Sequence, residues 1–345
     1  MDTLQATRHA ARPRLRRAPV FAVIVLVLAL LSGCTWADRV GPSTAPPGTT
    51  SPSAVPSRAT PPTSDDPSST DAPSSLTLPS GRSDHELTWD GTQRSFRTYR
   101  PAQVPQPVQV VVVLHGGGGS AATAEAAYGW DRAADRHGFV VVYPESVGQA
   151  WNAGSCCGRA QTVDVDDVGF VGAVVAELLG EQPLDPERVY LTGFSNGAML
   201  SYRIACEAPG VFAAIAPVSG TQLVDCADAK QVSLLAIHGT SDPSVPYGGG
   251  PGSGVGNVDG PSAPDVNQFW RTVDDCSEPT DQQSGAITRS TAACPSGRTV
   301  ELITIDGGAH HWPGSASSQG NPSNSASNEL DATEEIWSFF VEHTG

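Results

Sequence analysis

The sequence is short of positive charge. It has 20 lysine and arginine residues against 36 aspartate and glutamate residues, a formal net charge of -16, and its one lysine is Lys230. A chain with this balance repels phosphate groups, so the composition argues against nucleic-acid binding. Five of the arginines lie in the first 17 residues, which leaves the rest of the chain more acidic still.

Long hydrophobic runs are also scarce. Val20–Leu31 has 12 apolar residues, whereas a membrane-spanning helix needs about 20. A basic segment before this run and small residues after it form the pattern of an export signal over residues 1–33, and a signal anchor is the alternative. The ending "LSGC" resembles the lipobox of bacterial lipoproteins. That resemblance implies that Cys34 becomes the lipid-modified first residue of an exported, membrane-anchored protein.

Large apolar residues are few in the segment after Cys34. Proline, serine and threonine dominate it, and such a segment cannot bury enough surface to offset the entropy lost on ordering its backbone. We therefore predict that residues 34–83 form a disordered tether and that residues 84–345 form one α/β domain.

The six cysteines after Cys34 lack the Cys-x-x-Cys spacing typical of zinc sites. An even number in an exported domain favours disulfide bonds. Joining neighbours along the chain gives the pairs Cys156–Cys157, Cys206–Cys226 and Cys276–Cys294. The connectivity stays open, because six cysteines allow 15 pairings.

Valine-rich apolar runs alternate with helical patterns along residues 84–345. Continuous rather than alternating burial is typical of strands covered on both faces, as in a parallel sheet. The predicted strands are Val108–Leu114, Phe139–Pro144, Arg188–Gly193, Phe212–Gly220, Ser233–Gly239 and Arg298–Ile305. Helices are predicted between them, including Ser120–His137 with Gly138 as its stop, and a last helix is capped by Asp331. The alternation predicts an α/β fold with a mostly parallel sheet and helices on both faces.

Four of these strands are followed by residues that can carry out chemistry. The segments are "HGGGG" (115–119), "GFSNG" (193–197), "HGTSDPSVPY" (238–247) and "GGAHHWPG" (307–314). The carboxyl ends of parallel strands meet at one edge of the sheet, where ligands bind. We therefore expect all four segments to contribute to one site.

The segment "GFSNG" is a G-x-S-x-G pattern between a predicted strand and a predicted helix. A serine on so sharp a turn has strained backbone angles, and the two glycines remove side chains that would collide there. Ser195 is therefore the candidate nucleophile, and a purely structural turn is the alternative. Serine needs a base, and only His310, His311 and His343 lie late enough for the chain order Ser, Asp, His. We expect His343, near the C-terminus, to be solvent-exposed.

Two further parts of a hydrolytic site can be assigned from strand ends. Asp242 follows the strand Ser233–Gly239 and is the candidate acid, and an Asx turn is its alternative role. The segment "HGGGG" lacks the spacing of both phosphate-binding glycine motifs. In a hydrolase, the loop after this strand and the residue after the nucleophile donate backbone N–H groups to the oxyanion. We assign these donors to Gly117 and Asn196, with His115 as a buttress of the loop.

Together with "WNAGSCCG" and "DVDDVGF", these motifs follow one another as they do in the polyhydroxybutyrate depolymerase-like esterases, a group akin to feruloyl and acetylxylan esterases. The chain resembles that family over nearly the whole domain. The resemblance implies an α/β-hydrolase fold without a large separate cap domain. It aligns the family's catalytic histidine with His310, and leaves His311 at a variable position where it binds substrate or faces water. Gly117 stands where many members have a cysteine, a change that leaves a backbone donor in place.

Some aromatic and acidic residues have two interpretations. Trp151 and Trp312 are candidates to stack against an aromatic acyl group or a polyester chain, and core packing is the alternative. Asp164, Asp166 and Asp167 resemble a metal cluster, but at a helix start we expect them to cap the helix and complement its dipole.

These observations predict a cell-surface serine carboxylesterase that is held to the membrane by its lipid and uses no metal or organic cofactor. Its expected partners are the membrane and an ester substrate, either polyhydroxyalkanoate oligomers or feruloyl and acetyl esters of polysaccharides. An acyltransferase to sugar hydroxyls and a non-catalytic ester- or glycan-binding lipoprotein are the alternatives.

Overall fold

The computed structural model describes residues 78–253, 257–315 and 330–345. The predicted export signal, the lipidation site Cys34 and most of the tether lie outside the described residues. The first strand begins at Gly81 and Leu78 is already buried, so the folded part starts a few residues before the predicted boundary at 84. Among these residues, every helix is too short or too polar to span a bilayer.

A ten-stranded sheet lies at the centre of the described fold. In chain order, the strands are β1 (Gly81–Trp89), β2 (Thr92–Arg100), β3 (Val108–Leu114), β4 (Val140–Pro144), β5 (Leu184–Phe194), β6 (Ala214–Val218), β7 (Ser233–Gly239), β8 (Gly250–Pro251), β9 (Asp259–Gly260), β10 (Thr280–Ser284), β11 (Ile287–Ala293) and β12 (Thr299–Ile305). The strand order is β1-β2-β4-β3-β5-β6-β7-β12-β11-β10, while β8 and β9 pair separately. The six strands from β4 to β12 in this order run parallel, and an antiparallel pair extends the sheet at each end.

Helices cover both faces of this sheet. They are α1 (Ala121–Tyr128), α2 (Trp130–His137), α3 (Gly158–Thr162), α4 (Asp167–Glu181), α5 (Asn196–Glu207), α6 (Ala263–Val273) and α7 (Ala332–Val341). Residues of α4, α5 and α6 pack in one core cluster, and residues of α1, α2 and α7 pack in another. Val110 and Val112 of β3 belong to the first cluster, Val111 and Val113 to the second. Burial on both faces explains why this strand is apolar without alternation.

The helix that was predicted over Ser120–His137 is two helices. Gly129 ends α1 with φ 82° and begins α2, and Gly138, with φ 78°, ends α2 by donating its N–H to Ala134 O. Both glycines occupy the left-handed region that other residues avoid. The predicted stop at Gly138 is confirmed, whereas the break at Gly129 was missed. Asp331 caps α7 as predicted, because its carboxylate accepts the N–H groups of Thr333 and Glu334.

The antiparallel strands at the two ends of the sheet were not predicted. β1 alternates half-buried and exposed residues, because it is an edge strand. It is joined to β2 through Asp90 and Gly91, which have φ values of 46° and 68°. An Asp-Gly turn with two positive φ angles is a strong hairpin signal, so the sequence did carry this information.

The cysteines of the described domain pair as neighbours along the chain. The pairs are Cys156–Cys157, Cys206–Cys226 and Cys276–Cys294. By loop-closure entropy, each of the two longer loops gives a stabilisation of about 3 kcal/mol.

A carboxylate on α2 has an unfavourable environment. Burial is the main cause that raises the pKa of Asp131 to about 6 from its ordinary value of 3.8. The nearby charges of Glu125 and Asp135 add to this rise, and a hydrogen bond from Tyr143 opposes it. The Tyr143 hydroxyl donates to Asp131 Oδ1 over 2.7 Å. Because the folded state binds this proton more tightly than the unfolded chain does, the stability gained below the ordinary pKa is lost as the pH rises through about 6.

Asp131→Asn keeps an acceptor for Tyr143 and removes the charge. We expect the variant to have a higher Tm than the wild type at pH 8, and we expect the difference to shrink towards zero at pH 4. Asp135→Asn is the matched control, since Asp135 is exposed on the same helix and also accepts from a tyrosine hydroxyl. Equal Tm differences at both pH values in Asp131→Asn would contradict this prediction.

Candidate functional site

Ser195 lies between β5 and α5 in a backbone conformation with φ 53° and ψ -117°. Its N–H donates to Val218 O over 2.9 Å, and its carbonyl accepts from Met199 N over 3.0 Å. A Cβ on Gly193 would lie 2.6 Å from the Gly197 carbonyl carbon, and one on Gly197 would lie 2.5 Å from Leu114 O. Neither position therefore has room for a side chain.

The predicted nucleophile, base and acid are in contact. His310 Nε2 is 2.9 Å from Ser195 Oγ, and His310 Nδ1 is 2.7 Å from Asp242 Oδ2. The side chain of Asp242 is fully buried, whereas that of His310 is 18% exposed. The imidazole is thus accessible from the cavity side while its acid is shielded from solvent. Phe194 packs against the imidazole, with the ring centroids 4.8 Å apart.

The carboxylate of Asp242 is held in place by its own turn. Its Oδ1 accepts the backbone N–H groups of Ser244 and Val245 over 2.8 and 2.9 Å. Burial alone would raise the pKa of Asp242, but the N–H groups of His238 and His310 that face its carboxylate lower this pKa far below its usual range. Asp242 is therefore ionised at neutral pH, and an ionised carboxylate only accepts hydrogen bonds. Nδ1 of His310 then carries the proton, and Nε2 is free to accept the Ser195 hydroxyl.

His238 is a neighbour of the acid that the sequence analysis did not single out. It is buried at the end of β7, where its Nε2 lies 2.8 Å from Val245 O and 3.5 Å from Asp242 Oδ2. A carbonyl oxygen only accepts, so Nε2 carries a proton, and we take the shorter contact with Val245 as its hydrogen bond. The signal was present, because His238 belongs to the same motif as Asp242.

The ends of β7 and β12 approach each other closely, and this brings Asp242 and His310 together. Thr240 N donates to Ile305 O and Ser241 N donates to Gly308 O, each over 2.9 Å. A Cβ on Gly239 would overlap the Gly308 carbonyl. The backbones can meet here only because both positions are glycine.

The two candidate oxyanion donors lie next to each other beside Ser195. A Cβ built on Gly117 would be 3.6 Å from the Asn196 Cβ, and one built on Gly116 would be 3.5 Å from the Ser195 Cβ. Gly118 N donates to Gln149 O over 2.7 Å, which holds the glycine-rich loop in place. The geometry brings the "HGGGG" loop and the start of α5 to the same point.

A cavity of about 290 Å³ opens above these residues. Its lining residues are Gly116, Gly117, Gly118, Ala150, Cys157, Gly158, Phe194, Ser195, Asn196, Met199, Ser244, Val245, Val258 and His310. Most of this wall is apolar, and the polar groups are concentrated around Ser195. The apolar wall was not predicted, because Met199 and Val258 come from distant parts of the chain and carry no motif of their own.

The predicted substrate-binding aromatics do not line this cavity. Trp151 is 0% exposed and Trp312 is 2% exposed. Trp312 stacks on Tyr128 at a centroid distance of 4.5 Å, and its Nε1 donates to Thr333 Oγ1 over 3.0 Å. Both tryptophans are core residues, so the expectation that they stack against substrate was wrong. Their wide, rigid rings fill space beneath the site.

The two other late histidines lie in different environments. His311 is half-buried and does not line the cavity, and burial, together with the charge of His310, lowers its pKa. His343 is buried rather than exposed, and its ring lies 2.7 Å from Phe339 O through Nδ1.

The acidic residues before α4 have structural partners. Asp166 caps the helix, because its Oδ1 accepts Gly169 N over 2.8 Å. Asp167 is buried and pairs with Arg94 at 2.7 Å, and Asp164 accepts from Asn152 Nδ2 over 3.0 Å. Within the described ranges, no group of three or more histidine, cysteine or acidic residues could hold a metal ion.

Gly239→Ala should separate the acid from the base. The added methyl overlaps Gly308, so the loop that carries His310 has to move away from Asp242. We expect a lower Tm and a drop in ester hydrolysis of about 100-fold or more, since small displacements at a reacting centre have effects of this size. Gly172→Ala in α4 is the control, because nothing lies within 4 Å of that site. The Gly172→Ala protein should keep full activity. Retention of full activity by Gly239→Ala would contradict the conclusion that the close approach of Gly239 and Gly308 holds His310 against Asp242.

Comparisons with known proteins agree with this geometry. The chain matches the family described as Esterase PHB depolymerase over residues 95–245. NocK of Nocardia uniformis subsp. tsuyamanensis, provisionally named an esterase, is 33% identical over an alignment of 253 residues that covers 66% of this chain and 73% of NocK. Feruloyl esterase B of Piromyces equi is 32% identical over 205 residues, 56% of this chain and 37% of that protein. The match therefore spans well under half of the second relative.

A solved structure resembles the fold over most of the chain. The acetyl xylan esterase from Aspergillus awamori superposes with a TM-score of 0.55 at 14% identity, covering 75% of this chain and 99% of that one. At so low an identity, the likeness shows the fold alone. The described residues show helices on both faces of the sheet and no separate cap domain, as the sequence predicted. The chain belongs to the Esterase PHB depolymerase family of carboxylic ester hydrolases, with the α/β-hydrolase fold.

Proposed function

We propose that this protein is a serine carboxylesterase that works through an acyl-enzyme on Ser195. The observation that carries the proposal is the continuous chain of contacts from Ser195 Oγ to His310 Nε2, at 2.9 Å, and from His310 Nδ1 to Asp242 Oδ2, at 2.7 Å. Nucleophile, base and orienting acid in hydrogen-bond reach of one another are the recurring arrangement of serine hydrolases.

The reaction follows from this arrangement. Ser195 Oγ attacks the ester carbonyl carbon while its proton passes to His310 Nε2, and buried Asp242 stabilises the imidazolium that forms. The backbone N–H groups of Gly117 and Asn196 donate to the oxyanion. When the tetrahedral intermediate collapses, the alcohol leaves with the proton from Nε2 and the acyl group stays on Ser195. A water molecule then repeats the sequence, releasing the acid and restoring the serine.

The size of the cavity indicates that it binds a small acyl group of the substrate. Its volume of about 290 Å³ is at the lower end of the range for small-molecule pockets. The apolar wall around Met199 and Val258 suits a short hydroxyalkanoyl, acetyl or feruloyl group, and the leaving alcohol extends outwards. The family description and the names of the similar proteins indicate the same ester classes.

Ser195→Ala should lose hydrolysis of methyl ferulate, acetylated xylan and hydroxybutyrate oligomers, whichever of these the wild type cleaves, by a factor of at least about 10³. The variant should also lose labelling by a fluorophosphonate, because this reagent forms its bond to the Ser195 hydroxyl oxygen, which alanine lacks. Ser201→Ala is the control on the same helix, since its hydroxyl is bonded to Gly197 O and does not line the cavity. Hydrolysis by a Ser195→Ala protein at the wild-type rate would end the proposal.

The proposal includes export and attachment to the outer face of a membrane through lipid on Cys34. It rests on the basic start of the chain, the 12-residue apolar run and the sequence "LSGC". Several acyl chains hold a protein on a bilayer stably, whereas one chain alone is marginal.

Cys34→Ser should abolish lipid attachment. We expect the wild type to partition into the detergent phase of a Triton X-114 extraction and the variant to enter the aqueous phase. The esterase activity per folded molecule should be the same in both. A wild-type protein that stays in the aqueous phase would argue against the anchor without bearing on the esterase.

A further inference from the structure

Trp151 makes a pair of backbone hydrogen bonds to the side chain of Asn196. Its N–H donates to Asn196 Oδ1 over 2.7 Å, and Asn196 Nδ2 donates to Trp151 O over 3.1 Å. The amide of Asn196 thus uses its oxygen and one of its N–H donors on one residue. Both residues are buried, so the pairing is not exchanged for bonds to water. The rotamer and position of Asn196, the first residue of α5, are fixed by this contact.

The indole of Trp151 reaches the other side of the site. Its Nε1 donates to His115 O over 2.9 Å, and its ring packs on the His115 ring at a centroid distance of 4.8 Å. His115 Nδ1 lies 2.8 Å from Gly116 O, and Ser146 N is 3.3 Å from His115 Nε2. Because a carbonyl oxygen only accepts, Nδ1 of this imidazole carries a proton. The start of the "HGGGG" loop is therefore tied to Trp151.

We propose that Trp151 is a positioning residue that sets the separation of the two oxyanion donors, Gly117 N–H and Asn196 N–H. The proposal rests on the serine esterase function proposed above. Trp151 bonds through its main chain to Asn196 and through its indole to His115, two residues before Gly117. One buried residue, through its main chain and its indole together, thus spans the two segments that have to converge on one oxygen atom.

The role follows from the demands of the transition state. Oxyanion donors are effective when they lie about 3 Å from the position of the developing charge, and losing one donor typically lowers kcat by about 10²- to 10³-fold. Displacements of about 1 Å can lower the rate about 100-fold. Trp151 is 0% exposed and does not line the cavity, so it acts on catalysis through its neighbours rather than by touching the substrate.

The test uses variants that leave both donors chemically intact. Trp151→Phe keeps a buried aromatic ring and removes the indole N–H, and Asn196→Ala keeps the backbone N–H and removes the clamp. We expect each to lower kcat by about 10- to 100-fold with a KM change below about twofold. Binding of a trifluoromethyl ketone, which forms a tetrahedral oxyanion on the serine, should weaken in parallel. Binding of the unreactive ether analogue of the same ester should stay the same.

Trp270→Phe is the matched control. Like Trp151, Trp270 is 0% exposed and does not line the cavity. Its Nε1 also makes one hydrogen bond, but to Gln222 Oε1 over 3.1 Å instead of to His115. The substitution should lower Tm by an amount similar to Trp151→Phe and leave kcat unchanged. The double variant of Trp151→Phe with Asn196→Ala should lose less than the product of the two single effects, because both act on the same separation.

The outcomes separate this inference from the esterase proposal. If Ser195→Ala is inactive and Trp151→Phe has wild-type kcat and inhibitor affinity, the positioning role is wrong and the esterase stands. Equal losses of kcat in Trp151→Phe and Trp270→Phe would show a general structural effect and would also overturn the role. A fully active Ser195→Ala protein would overturn both proposals.

Discussion

The site depends on the backbone of Ser195, which has φ 53° at the end of β5. A conformation of this kind costs about 1–3 kcal/mol and persists only where the surrounding structure enforces it. Here the surroundings are bonds to Val218 and Met199 and the near contact of Gly193 with Gly197. The strain has a use, because it lifts the hydroxyl out of the sheet towards His310. The other strand ends are arranged around this fixed point.

Those features that rest on one local pattern could be predicted from the sequence. The strand β3, the stop at Gly138 and the glycines beside Ser195 each follow from a run or a turn of a few residues. The contact between Asp242 and His310 is long-range, but the rule that parallel strands end at one edge was enough to predict it. The site could be predicted because its residues lie at strand ends, which short sequence motifs mark.

The features that could not be predicted from the sequence depend on how side chains from distant parts of the chain pack together. Trp151 was expected to contact the substrate, yet its indole N–H donates to His115 O and its backbone N–H donates to the Asn196 side chain. No spacing in the sequence encodes those partners. The cavity wall likewise joins Met199 to Val258, which lie 59 positions apart in the chain. The β1–β2 hairpin is a different case, because its Asp90-Gly91 signal was present and was overlooked.

The polar side chains of the two edge strands, β1 and β10, affect how neighbouring protein molecules interact when they are crowded together. All residues of β10 are exposed, in the sequence "TDQQS", and the outward positions of β1 include Arg82, Asp84 and Glu86. Open strand edges template pairing between molecules, and charged or strongly hydrated side chains oppose it. Many copies packed side by side on a surface would therefore remain separate enzymes rather than merge into a continuous intermolecular ribbon.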